Sequence, residues 1–179
     1  MDKQETWDSL MLMTVKLYES QSKCAAKHVC AIVAEETSSG YNILSIGLNG
    51  TPSGHDNCSD IWEKRDGKWF NKRKNEFIEN GHKHWSEAYE IHAEVNAISK
   101  CNARGISVKG NTMFISYSPC LHCAKMLVAF GIKRVVFINK FDDFDDIVSG
   151  YLISNGITCH QYSENLTPKE VWWGVMYAS

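Results

Sequence analysis

Apolar residues recur along the chain at two periods, and the switches between them divide it into elements. Over residues 7–19, Trp7, Leu10, Met11, Val15 and Leu17 with Tyr18 fall close to helical spacing, which predicts an N-terminal amphipathic helix. Two short apolar runs follow, 28–34 and 41–48. Thr37-Ser38-Ser39-Gly40 between them has turn composition, so the pair reads as a hairpin. Gly47, Gly50, Pro52 and Gly54 then mark 47–58 as a loop whose backbone bends tightly or approaches something closely.

Residues 59–89 are polar, charged and rich in Trp and Lys, and read as an insertion holding one or two irregular helices. Its Lys72-Arg73-Lys74 run fits a solvated face better than a phosphate contact. From residue 91 the pattern alternates. A helix over 91–100 with Val95 and Ile98 on its buried side is followed by a strand over 112–116 and a helix over 120–130, stopped by Gly131. A buried strand over 134–138, a helix over 141–154 and a strand over 157–161 complete the series. Asp142, Asp143, Asp145 and Asp146 fall near the start of that last helix, where carboxylates oppose its dipole; this favours a structural reading over a metal site. Such alternation implies parallel strands with right-handed crossovers. With the antiparallel hairpin added, the expected fold is α/β, a three-layer α/β/α sandwich around a mixed five-stranded sheet. The tail with Trp172 and Trp173 is expected to pack on the domain in preference to a neighbouring subunit.

At 179 residues with 44% apolar content, the chain suits one domain over 1–179, carrying the insertion at about 59–89. The net charge of -2 lacks the basic footprint of a nucleic-acid binder and favours a small substrate. Seven cysteines, an odd number that includes a C-x-x-C pair, fit reduced cytosolic thiols better than a disulfide framework. No apolar run approaches the length of a membrane span, and no signal peptide is evident, so a soluble chain is expected.

The candidate chemistry lies in His92-Ala93-Glu94 and Pro119-Cys120-Leu121-His122-Cys123. One His and two Cys form a catalytic zinc set that leaves a fourth position open. Cys120 and Cys123 fall on one helix face, Pro119 suits a helix start, and a helix N-terminus favours thiolate. His92 and Glu94, two apart, can face one metal only if a helix begins there, which places two helix starts head-on. Glu94 reads as the general acid/base and not a ligand: beside an activated water it can pass protons to the ring nitrogen and the departing ammonia of an amidine such as cytosine. A structural zinc would need four closed ligands, and His122, between the cysteines, is poorly placed as the fourth.

With these motifs, the hairpin and the Gly-x-Asn-Gly-Thr-Pro-Ser-Gly-x-x-Asn-Cys loop at 47–58, the sequence resembles the deoxycytidylate (dCMP) deaminases of the zinc-dependent cytidine deaminase superfamily, in the form seen in bacteriophages. The resemblance spans about 22–161. It implies hydrolysis of dCMP to dUMP and ammonia, supplying dUMP for dTMP synthesis in the host cytoplasm. The catalytic zinc would be held by His92, Cys120 and Cys123, with Glu94 moving protons. It implies substrate contacts from Asn49 to the sugar and from Ala93, Ser118 and Pro119, with Lys27 or His28 at the phosphate. It also implies a homo-hexamer activated by dCTP with magnesium and inhibited by dTTP through Gly50, Thr51, Pro52, Gly54 and Asn57. A second, structural zinc would sit on Cys24, Cys58, His82 and Glu90 and pin the insertion to the hairpin. Two positions depart from the pattern: Leu48 stands where relatives have Tyr, and His28 where they have Lys or Arg. The competing readings are a deaminase acting on bases in RNA or single-stranded DNA, with a basic patch within 64–83, and a non-catalytic zinc module in which Glu94 is idle.

Overall fold

In a computed structural model, residues 3–141 and 144–163 are described. Helix α1 (Lys3–Glu19) precedes the hairpin β1 (Cys30–Thr37) and β2 (Gly40–Leu48). Then come α2 (Cys58–Ile61), β3 (Trp62–Arg65), β4 (Lys68–Asn71), β5 (Glu76–Phe77) and α3 (Gly81–Tyr89). The second half runs α4 (Ala93–Ala103), β6 (Thr112–Tyr117), α5 (Leu121–Phe130), β7 (Arg134–Asn139), a π-helical turn (Phe144–Val148), α6 (Ser149–Ser154) and β8 (Thr158–Gln161). The main sheet is five-stranded in the order β2-β1-β6-β7-β8. Strand β1 is antiparallel to both β2 and β6, whereas β6, β7 and β8 are parallel, as the alternation of elements requires.

Period-two alternation sorts the strands' side chains onto two covered faces. Ile32, Ala34, Phe114, Val136 and Ile138 face Met11, Leu12 and Val15 of α1. Ala31, Val33, Met113, Ile115, Val135 and Phe137 face α4, α5 and the π-turn with α6, through residues such as Ala97, Leu127 and Leu152. Helices on both faces make the three layers and explain why the central strands read as continuous apolar runs.

Three expectations change. On α1, Leu10, Leu17 and Tyr18 are exposed, and the stripe that packs is Asp8, Met11, Leu12 and Val15. Burial of Asp8 is tolerated because Arg134, at the start of β7, forms a two-pronged ion pair with it at 2.7 and 2.5 Å. On α4 the face toward the sheet carries Ala93, Glu94, Ala97, Ile98 and Cys101, leaving Val95 exposed and Glu94 buried. The insertion, read as helical, forms a second antiparallel sheet, β3-β4-β5, between α2 and α3. Its signal was Asp66-Gly67, with φ of 48° and 79°, the two-residue loop that matches hairpin twist. The basic run within it is tied down: Arg73 pairs with Asp56 at 2.6 Å, Lys74 with Glu76 at 3.7 Å, and Lys72 donates to the Ser59 carbonyl. The acidic cluster begins at Asp142 and Asp143, which with Trp172 and Trp173 lie outside the described residues.

The edge strand β2 is held by α4. Asn96, Lys100 and Arg104, four apart, donate to the outward carbonyls of Leu48, Ile46 and Leu44, two apart, at 2.7–2.8 Å. A helix advances about 6 Å in four residues and a strand nearly 7 Å in two, so the rows stay in step. Gly47 admits the close contact: a Cβ there would collide with the Ala93 carbonyl oxygen and the Ala97 amide. The start of α4, where His92 and Glu94 stand, is thereby located by main chain lying on main chain.

Candidate active site

His92 is the N-cap of α4 and Cys120 the N-cap of α5; neither side chain caps its own helix. Helix α5 follows β6 after the short link 118–120, so the two helix starts meet near the C-terminal end of that strand. Pro119 stands one residue before the cap, not in the first turn, because Cys120 takes the cap position. His92 Nδ1 lies 3.3 Å from Cys123 Sγ and 3.6 Å from Cys120 Sγ, and the three donor atoms all fall within 4.8 Å of one another. A tetrahedral zinc with ordinary Zn–S and Zn–N bonds separates such donors by roughly 3.6 Å, so the set fits the ion. His122 is exposed and is not part of this set, which keeps the fourth position free of a histidine.

The hydrogen bond from Cys123 holds the Cys120 thiol well below its ordinary range, and the same pairing, with burial, pushes Cys123 up. A zinc ion held by both sulfurs would favour the thiolate at each. Glu94 is 4% exposed and faces this pair; burial, above all, raises its carboxyl above the usual range.

The isolated bridge between Gly50 and Ile91, with hydrogen bonds of 3.1 and 2.9 Å, ties the start of the glycine loop to the residue before His92. Asn49 is fixed by three bonds: Ser22 Oγ and the Val29 amide donate to its Oδ1 at 2.7 and 2.8 Å, and its Nδ2 donates to the Lys27 carbonyl at 2.9 Å. Ala93 and Ser118 are fully buried and Pro119 is buried, so what these three offer a ligand is chiefly backbone. The Ser118 hydroxyl accepts from the Phe141 amide at 2.9 Å. Lys27 and His28 are exposed. Within the glycine loop, Gly50 and Gly54 have φ of 152° and 85°, and Thr51 Oγ1 is buried without a hydrogen-bond partner. Asn57 is the N-cap of α2, both of its N–H groups bonding the Asp60 carboxylate.

A second donor cluster brings together Cys24, Cys58 and His82, all buried, again within 4.8 Å, with Cys58 Sγ 3.2 Å from His82 Nε2. The Cys58 hydrogen bond holds the Cys24 thiol low, and Cys58 is pushed up in turn. Glu90 stands outside that 4.8 Å set; Ser86 Oγ donates to its Oε2 at 2.5 Å, and its Oε1 is buried with no hydrogen-bond partner. An orphaned carboxylate oxygen beside two thiols and an imidazole suits the fourth ligand of a closed zinc site. The insertion roofs the cluster. Trp69 stacks on the His82 ring at 4.0 Å and 13°, and Trp62 meets it edge-on. Sequence reasoning had no route to these two tryptophans as the cover of a polar cluster, since their spacing reports only the strand pattern of β3 and β4.

A model of the cytidine and deoxycytidylate deaminase zinc-binding region matches residues 4–139. The deoxycytidylate deaminase of Enterobacteria phage T4 is 32% identical, over 78% of this chain and 83% of that protein. The Homo sapiens deoxycytidylate deaminase is 30% identical, over 87% of this chain and 79% of that one. Among solved structures, the dCMP deaminase of cyanophage S-TIM5 in complex with dCMP and dUMP superposes with a TM-score of 0.63 at 28% identity, covering 86% of this chain and 94% of that one.

Proposed function

The chain belongs to the zinc-binding cytidine and deoxycytidylate deaminases, and on that premise we propose that it hydrolyses dCMP to dUMP and ammonia. The observation that carries this reading is the buried Glu94 beside the donor set of His92, Cys120 and Cys123. The similar S-TIM5 enzyme was solved with dCMP and dUMP, which supports the choice of substrate.

In this reading His92, Cys120 and Cys123 hold the catalytic zinc. Zinc bound there supplies Lewis acidity, enough to ionise water near neutral pH. Glu94 takes the proton that the attacking water loses and delivers protons to N3 of the ring and to the amino nitrogen leaving C4. Asn49, with one amide hydrogen spent on the Lys27 carbonyl, has a second with which to bond the sugar. Lys27 or His28 meets the phosphate, and the backbone of Ala93, Ser118 and Pro119 lines the base.

The reading extends to a single domain over 1–179 with its insertion at 59–89, and to dUMP supply for dTMP synthesis in the host cytoplasm. Among the described residues no helix is long and apolar enough to cross a membrane. It further includes a homo-hexamer regulated at the glycine loop through Gly50, Thr51, Pro52, Gly54 and Asn57, with dCTP and magnesium activating and dTTP inhibiting. The test is ammonia release from dCMP with and without dCTP and magnesium, with cytidine and dCTP as comparison substrates. Turnover of dCMP establishes the reaction, and a steep rise with dCTP establishes the effector. If zinc-replete protein leaves all three nucleotides intact, the substrate reading fails.

Cys24, Cys58, His82 and Glu90 are assigned to a second, structural zinc. Protein never exposed to chelator is expected to hold two zinc ions per chain. Cys58→Ser is expected to hold one and to melt roughly 5–10 °C lower, the consequence of losing several kcal/mol. A single zinc in the parent protein, by elemental analysis, would remove this site.

A further inference from the structure

Ser22 belongs to neither donor cluster, yet its side chain, 5% exposed, is bonded toward both. Its hydroxyl donates to Asn49 Oδ1 at 2.7 Å, with the Asn49 carbonyl oxygen also in reach at 3.1 Å, and accepts from the Cys24 amide at 3.3 Å. Cys24 in turn gives its thiol to the second cluster. We propose that Ser22 is a positioning residue that carries the fixed position of the second cluster to Asn49, so that this cluster serves recognition of the substrate sugar as well as holding the insertion. The inference rests on the reading of Asn49 as the sugar contact and of the second cluster as a zinc site.

A carboxamide oxygen has two lone pairs and its nitrogen two hydrogens. On Asn49 the Val29 amide at 2.8 Å and Ser22 together fill the oxygen, and the Lys27 carbonyl takes one hydrogen at 2.9 Å. What remains is a single N–H of set direction. Asn49 can therefore donate to a ligand hydroxyl and has no lone pair with which to accept from one. A 2′-deoxynucleoside 5′-monophosphate carries one free hydroxyl, on C3′, so that is the group such a donor reads. Val29 and Lys27 hold the amide from one short stretch of main chain and move with it. Ser22 adds a separate point of attachment.

That attachment is itself clamped. The Ala25 amide donates to Cys58 Sγ at 3.3 Å and the Ser59 amide to the Lys23 carbonyl at 3.2 Å, which ties the stretch 23–25 to the start of α2. Zinc bound across Cys24 and Cys58 would close the clamp with stronger bonds than these. On the other side of Asn49, the Gly50 bridge to Ile91 leads to His92. The two clusters are thus joined by one unbroken run of bonded groups, and Ser22 is the side chain in the middle of it.

The experiment uses zinc-loaded full-length protein and measures zinc content and dissociation constants for dUMP and for 2′,3′-dideoxyuridine 5′-monophosphate, which lacks the C3′ hydroxyl. Ser22→Ala is expected to keep both zinc ions and to weaken dUMP binding roughly three- to ten-fold, the range for one net hydrogen bond, with the dideoxy analogue unmoved. A merely structural role would weaken both ligands alike. Cys58→Ser is expected to show the same selective loss, and Ser22→Ala added to it should cost little more, because both act along one path. Glu90→Gln takes its place if Cys58→Ser does not fold. Equal losses on the two ligands in Ser22→Ala, or none, overturn the proposal. So does a variant that has lost the second zinc and still binds dUMP as the parent does. If the parent binds the two ligands equally, the sugar reading of Asn49 fails and the proposal falls with it. If dUMP binding depends on Ser22 in the expected way but dCMP yields no ammonia, the positioning role stands and the deaminase reading fails.

Discussion

Glu94→Gln is expected to lower kcat for dCMP by roughly 10²–10⁴-fold, the range for a lost general acid/base, with zinc content and melting temperature near those of the parent. The side chain is 4% exposed, and burial, the largest influence on it, raises its carboxyl toward the neutral form. A neutral amide of the same shape therefore suits the protein environment about as well. The amide still accepts and donates hydrogen bonds, so the donor set of His92, Cys120 and Cys123 keeps its wall. What it cannot do is carry a proton from water to N3 and on to the leaving nitrogen. The loss should therefore appear in kcat, with KM changed little. Near-parental turnover with zinc in place would remove Glu94 from the role assigned to it.

Arg134→Met is expected to cost about 3–5 kcal/mol at pH 7, the penalty for stranding one partner of a buried pair. Asp8 is fully buried. Besides the two guanidinium bonds, it accepts from Tyr162 Oη at 2.8 Å, Gln4 Nε2 at 3.1 Å and Tyr41 Oη at 3.1 Å. Burial on its own would raise the Asp8 carboxyl; the bonds and charge of Arg134, then Tyr162 and Gln4, outweigh it and hold the group below its ordinary range. A folded pKa below the unfolded one means stability that is fully present above the unfolded value, near 4, and lost as pH falls through the folded value. In the variant, Asp8 has lost that charge and regains stability by taking a proton. The gap between parent and variant should thus be widest near pH 7 and close below about pH 4. Denaturant melts at both pH values decide the matter: a loss under about 1 kcal/mol at neutral pH, or one that ignores pH, would contradict this account.

The difference between these two sites in sequence explains what could be read there. The grouping of Glu94 with His92, Cys120 and Cys123 is legible because the two motifs hold these residue types at short fixed spacings, and local spacing survives in a linear string. Asp8 and Arg134 are 126 residues apart, and nothing near Asp8 marks it as other than a solvated carboxylate. The strands of the main sheet were legible since burial on both faces leaves continuous apolar runs. On α4 the same reasoning misassigned Val95, because an apolar residue was given the inner face that Glu94 occupies. The three-stranded sheet went unread although Asp66-Gly67 announced its first turn. Tryptophans and lysines in short strands carry little periodicity, and the polar composition suggested irregular structure instead. Tyr117, Phe141 and Lys27 come together from three segments, a convergence that only the fold supplies.

The row of Asn96, Lys100 and Arg104 along β2 bears on how copies of this chain can meet. An open edge strand is a template on which another molecule can extend the sheet, the usual route to runaway association. Here the outward carbonyls of Leu44, Ile46 and Leu48 are already occupied by side chains of the same molecule. A newcomer strand would have to displace three donors, two of them charged, before gaining a single backbone bond. Growth by continuous β-pairing is therefore closed at this edge. Self-association there must use side-chain surfaces, which can form a finite particle in place of an endless ribbon.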